Sequence, residues 1–90
     1  VYEYFELLWR HPVTVQEAEE KLCGLFAEVL GVPEIEPQDG FFDLGGHSLL
    51  ASKLVRRIRT EYGVRIPLRR VYDAPTPEAL ARHLAAALAA

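Results

Sequence analysis

The sequence predicts an all-α domain: a small four-helix bundle of three main helices and one short one, with a long packed loop between helices one and two. Three observations carry this expectation. Apolar residues recur at helical spacing in three separate stretches, each entered or closed by a helix-boundary residue. No stretch shows the alternation of a half-buried strand. Ninety residues, half of them apolar and 26% charged, make one ordinary globular domain. A chain of this length buries roughly 60% of its unfolded surface, enough for one modest core and too little for a deep active site.

The first helix is expected over residues 15–30. Its start is the capping box Thr14-Val15-Gln16-Glu17, in which the threonine hydroxyl accepts from the amide three residues on while Glu17 reaches back. Val15, Ala18, Leu22, Leu25, Phe26 and Val29 follow on one stripe, and Gly31 stops the helix. The second helix is expected from Ser48 to about Tyr62, with Leu50, Leu54, Val55, Ile58 and Tyr62 inward, and Gly63 at its end. Pro67 opens the short helix, whose Val71 and Tyr72 point inward, and Pro75 ends it. The last helix starts at Thr76 as N-cap with Pro77 behind it and Glu78 on the positive end of the dipole. Its inner stripe is Leu80, Leu84, Ala87 and Leu88.

Residues 31–47 are denied a regular helix by Pro33, Pro37, Gly40, Gly45 and Gly46. Yet Phe41-Phe42-Asp43-Leu44 lies inside this stretch, and each large apolar side chain left in water costs about 1.5–3 kcal/mol. The loop is therefore expected to pack on the core, with these four residues as a short turn. Loops of this length are uncommon unless they serve a function.

Residues 1–13 hold four of the nine aromatic residues and a helical stripe of Val1, Phe5 and Leu8. They read as a linker, the end of a preceding domain, or a segment that docks on a partner, with the domain proper at 14–90. The absence of methionine is expected of a piece of a longer protein.

Charge and composition exclude several classes. The net charge of −3 divides sharply: residues 1–47 carry ten acids against Arg10 and Lys21, which is −8, and residues 48–90 carry eight bases against three acids, which is +5. The basic half shows neither basic–aromatic interleaving nor a zinc or recognition-helix motif, so protein partners are expected rather than nucleic acid. No apolar run approaches the ~18 residues of a membrane span. Cys23 is the single cysteine; it is expected as a partly buried thiol in a reducing, cytoplasmic setting. Three scattered histidines and one cysteine lack metal-ligand spacing.

Ser48 is the residue that needs explaining. A nucleophile elbow requires Gly-x-Ser-x-Gly after a strand; here the run is Gly46-His47-Ser48-Leu49-Leu50, with no second glycine and no strand before it. His47, the adjacent residue, is poorly placed to serve as its base. No catalytic residue is assigned. As a helix N-cap, Ser48 is worth about 0.5–2 kcal/mol over alanine. That reading leaves Gly45 and Gly46 unexplained. A hydroxyl at a helix start also lies beside unpaired N–H groups and the positive dipole end, where a phosphate is welcome.

Residues 39–84, and "FFDLGGHSL" at their centre, strongly resemble the peptidyl carrier (thiolation) domains of nonribosomal peptide synthetases, in the wider phosphopantetheine-binding, acyl-carrier-like family; the likeness extends over residues 15–88. "IPLRRVYDAPT" is similar to the family's second signature, except that the family usually has phenylalanine where Tyr72 stands. The resemblance implies that a phosphopantetheinyl transferase joins 4'-phosphopantetheine from coenzyme A to Ser48, flanked by Gly46, His47 and Leu49. The thiol of that arm, and not Cys23, would carry an aminoacyl or peptidyl thioester. The domain itself would catalyse nothing. It would serve adenylation, condensation and, in some assemblies, tailoring or thioesterase domains in the making of an antibiotic or other secondary metabolite.

Leu44, Leu49, Val71 and Tyr72 form the candidate partner surface. The competing reading, favoured for Val71 and Tyr72, places these side chains in the core. Lys53, Arg56, Arg57 and Arg59 make helix two basic, whereas fatty-acid carriers resembling this family have an acidic one. The alternatives are an aryl or polyketide acyl carrier, and a non-carrier helical interaction module in which Ser48 is only a cap.

Overall fold

Thr14 opens the part of the chain that the computed structural model describes, residues 14–89. The expectations for residues 1–13 lie outside the described residues. The Thr14 backbone is extended, and its Oγ1 accepts from the Glu17 N–H at 3.0 Å, which starts α1 (Val15–Leu30). Gly31, in the left-handed region, closes α1 by donating its N–H to the Ala27 carbonyl. Next come α2 (Ser48–Tyr62), the short α3 (Leu68–Asp73) and α4 (Pro77–Ala89), with no strand among the described residues. Gly63 closes α2 in the same way as Gly31 closes α1. Thr76 caps α4 through Oγ1, which accepts from the Ala79 N–H at 3.1 Å.

These elements are the expected ones, and their apolar stripes meet in one core. Leu22 and Phe26 of α1, Leu54 and Ile58 of α2, Val71 of α3 and Leu80 and Leu84 of α4 are fully buried. Each such side chain contributes about 1.5–3 kcal/mol by leaving water. Against α1 lie α4 and α2, and α3 rests on α2. Alanine departs from the predicted stripes. Ala51 and Ala81 are fully buried, while Ala87 is exposed. Val15, placed in the first stripe, is 41% exposed at the helix entrance.

The loop of residues 31–47 is packed as expected. The Phe41 N–H donates to the Pro75 carbonyl at 2.8 Å, and the Glu78 N–H donates to the Pro37 carbonyl at 2.9 Å. The second bond satisfies one of the free donors of the first turn of α4. Within the loop, Asp39 Oδ2 accepts from the Glu36 N–H at 2.8 Å. Phe41 is fully buried, its ring edge-on to Phe26 at 5.3 Å. The loop is thereby tied to both α1 and the α3–α4 junction.

Part of the charge asymmetry is used inside the fold. Glu28 of α1 pairs with Arg57 of α2 at 2.6 Å, and Lys21 pairs with Glu61 at 3.2 Å. The ladder sets α1 antiparallel to α2. Lys21 and, second, Arg57 hold the Glu61 carboxyl below the usual carboxylate range. The pairs are exposed, so they orient the two helices more than they stabilise them. Among the described residues, no helix is long and apolar enough to cross a membrane.

Candidate functional site: the start of α2

The site is built from Phe41 outward. With the Phe41 ring held in the core, the chain turns back through Asp43 and Leu44. Gly45 takes φ +95°, where a side chain would be strained. The Gly46 N–H donates to the Phe41 carbonyl at 3.0 Å. A Cβ on Gly46 would sit on the Phe41 ring and carbonyl oxygen. Gly46 is therefore glycine because of close approach, and this contact fixes where the next two residues emerge.

Those residues are His47 and Ser48. His47 is extended, with φ −146° and ψ 178°, and takes the N-cap position without a side-chain capping bond. Its carbonyl accepts from the Ala51 N–H at 2.8 Å. Ser48 is the first residue of α2 and is exposed. The helix starts at Ser48 as expected, and the competing reading of Ser48 as only a helix cap is not what the structure shows. The extended His47 takes the cap, so the loop ends one residue earlier than a serine cap would place it. The Ser48 hydroxyl takes part in none of the side-chain hydrogen bonds among the described residues. It stands free at the positive end of a fifteen-residue helix.

Around Ser48 the four surface candidates separate. Leu49 is 63% exposed, Leu44 39% and Tyr72 48%. Val71 is fully buried and leaves the candidate surface: α3 turns it into the core beside Ala74. Tyr72, for which a core position was favoured, instead lies flat on Phe42, with ring centroids 4.7 Å apart and planes 17° from parallel. Phe42 in turn meets Phe41 edge-on at 5.3 Å. Three aromatic rings thus run from the core to the surface and link the loop to α3. Phe42 was not singled out from the sequence, although its place beside Phe41 in an apolar turn was the available signal. Leu68, one turn before Tyr72, adds a further exposed apolar side chain.

Other chemistry is not assembled. Cys23 is half-buried as expected, and burial first, then the nearby Glu19, Glu36, Asp39 and Glu20, push its thiol up, away from the reactive thiolate. Among the described residues, no group of three or more His, Cys, Asp or Glu side chains is placed to hold a metal ion.

A four-helix bundle that leaves one serine free beyond a packed loop is the architecture of a small carrier protein. Known proteins give that class its family. The family model described as "Phosphopantetheine attachment site" matches residues 20–84. The probable non-canonical nonribosomal peptide synthetase CymA of Salinispora arenicola (strain CNS-205) is 55% identical over 75 residues, 83% of this chain but 1% of that protein's length. The solved active-site mutant of a peptidyl carrier protein superposes with a TM-score of 0.76 at 38% identity, over 79% of each chain. A chain from the complex of the phosphopantetheine transferase Sfp with coenzyme A and a peptidyl carrier protein gives 0.74 at 39% identity, over 77% of this chain and 90% of that one. The chain belongs to the phosphopantetheine-attachment family and, within it, is a peptidyl carrier domain. It is a non-catalytic carrier, not an enzyme.

Proposed function

We propose that the Ser48 hydroxyl is the attachment point of 4'-phosphopantetheine, and that the domain passes aminoacyl or peptidyl thioesters between the domains of a nonribosomal peptide synthetase. The observation that carries this reading is the Ser48 hydroxyl itself, exposed and unbonded at the start of α2. The residues fit the group. The first N–H groups of α2 lie beside the hydroxyl and favour the phosphodiester charge. Gly46, pressed on Phe41, and His47, in extended backbone, hold the serine outward. When bound, the arm supplies a terminal thiol that takes the cargo as a thioester. Attachment forms the bond from Ser48 Oγ to phosphorus and breaks the bond from that phosphorus to adenosine 3',5'-bisphosphate. The serine proton leaves to a base on the transferase.

The partners in this reading are a phosphopantetheinyl transferase and adenylation, condensation and, in some assemblies, tailoring or thioesterase domains. The transferase is supported by the similar carrier solved with Sfp and coenzyme A. Leu44, Leu49 and Tyr72 form the apolar surface these partners grip, with Phe42 behind Tyr72. Residues 14–90 are the carrier unit, residues 1–13 lead into it, and the work is done in the cytoplasm, where the protonated Cys23 thiol stays reduced.

Intact mass after incubation with coenzyme A and a promiscuous phosphopantetheinyl transferase tests the reading. The parent is expected to gain one phosphopantetheine and Ser48→Ala none. A folded parent that gains nothing returns Ser48 to a purely local role and the domain to a helical interaction module.

A further inference from the structure

Val71 and Tyr72 are neighbours on α3, yet Val71 is fully buried and Tyr72 is 48% exposed. α3 has only six residues, and a helix so short owes its order to packing rather than to its own propensity. The Tyr72 hydroxyl takes part in none of the side-chain hydrogen bonds among the described residues. Its ring rests on Phe42 instead. The two rings lie 4.7 Å apart and 17° from parallel, within the range of an offset stack. Phe42 is itself held: it meets Phe41 edge-on at 5.3 Å, and Phe41 meets Phe26 of α1 in the same way. The bond from the Phe41 N–H to the Pro75 carbonyl ties this part of the loop to the chain just past the end of α3.

Phe42 also belongs to the turn that leads to the serine. Leu44 follows it in that turn, and Gly46, pressed on Phe41, sets where Ser48 emerges. One side chain of the serine-bearing loop thus fixes the α3 residue that shares the apolar surface with Leu44 and Leu49. We propose that Phe42 is a positioning residue for loading: it holds the Tyr72 ring still, so that Tyr72, Leu44 and Leu49 meet the phosphopantetheinyl transferase in one fixed arrangement. The inference rests on the proposed function, in which the transferase grips this surface. Phe42 is half-buried behind Tyr72 and acts through it. An exposed aromatic side chain with nothing behind it must be ordered at each encounter, and ordering one such side chain weakens association by roughly two- to tenfold.

Proton NMR of the full 90-residue chain gives the first reading. The Tyr72 ring protons are expected upfield of their free value in the parent, under the ring current of Phe42, and close to that value in Phe42→Leu. Loading by Sfp with coenzyme A gives the second. Phe42→Leu is expected to raise the KM for the carrier roughly two- to tenfold with kcat unchanged. Phe42→Tyr, which keeps a flat face, is expected to restore it. Tyr72→Leu is expected to raise the KM at least as far, and the double variant Phe42→Leu, Tyr72→Leu no further, because Phe42 acts through Tyr72. A merely structural role for Phe42 would lower the urea midpoint and leave the KM of the folded protein alone. Tyr72 protons at their free shift in the parent overturn the proposal. So does a parent-like KM in folded Phe42→Leu, or a double variant whose two effects multiply. In each of these outcomes the parent still loads, and the proposed function stands. A parent that does not load fails the proposed function itself, and this inference with it.

Discussion

α2 and α4 both begin at a hydroxyl residue, and the two hydroxyls are used in opposite ways. Thr76 spends its oxygen on the Ala79 N–H and stays half-buried under the loop, while the Pro37 carbonyl takes the Glu78 N–H. Both bonds hold the bundle together. Ser48 lies one position further along, inside its helix, with His47 in the cap position and no side-chain bond there. The first start is satisfied and closed; the second is left open to solvent. A helix start that is fully capped has no donors to offer a ligand, so under the proposed function the uncapped start of α2 is the one suited to a phosphodiester.

Substitutions at the two starts sharpen this contrast, and Ser48→Ala gives the largest effect. Phosphopantetheine loading is expected to vanish, while chemical denaturation moves by no more than the ±0.5 kcal/mol of an ordinary surface change. A loss of cap size would show that the serine supports the helix after all. Gly46→Ala comes next. Its Cβ meets the Phe41 ring and carbonyl, so about 1–3 kcal/mol of stability is expected to be lost as in other overpacked sites. Loading is expected to slow because Ser48 shifts with the turn; unaltered stability and rate would remove Gly46 from the account of the site. Thr76→Ala is the mirror of Ser48→Ala: a loss of about 0.5–2 kcal/mol in a urea melt with loading unchanged.

The smallest effect concerns the α1–α2 ladder. The folded-state pKa of Glu61 is depressed, by Lys21 first and Arg57 second. Its contribution is therefore complete above the usual carboxylate range and is lost as pH falls through the lowered value. Glu61→Gln is expected to flatten the acid limb of thermal stability between neutral and low pH, more visibly in low salt. An identical acid limb in the two proteins would mean that these exposed pairs contribute nothing to stability.

Much of this was legible in the sequence because boundary residues act locally. Thr14, Gly31, Gly63, Pro67 and Thr76 place the four helices from their own chemistry, and the Phe41-to-Leu44 turn announces a packed loop. Three features were not legible. That His47 and not Ser48 takes the cap position depends on the extended backbone of His47, which the Phe41–Gly46 contact sets from a distance. Ala51, Ala81 and Ala87 differ in burial although the residue is the same, because one methyl group carries little periodic signal. Tyr72 is drawn outward by Phe42, thirty positions away, while its neighbour Val71 is drawn inward. The split of charge along the chain was plain, but its partial cancellation between α1 and α2 depends on pairs from separate segments.

The measurement closest to the central claim is the position of the arm. The chain has two serines, Ser48 and Ser52, one helical turn apart on α2. Ser48 is exposed and Ser52 half-buried. Tandem mass spectrometry of the loaded domain, with fragmentation that retains the phosphodiester, distinguishes them. The account predicts the modification on Ser48 alone. Modification on Ser52, or on both, would contradict the claim that the uncapped start of α2 selects the serine.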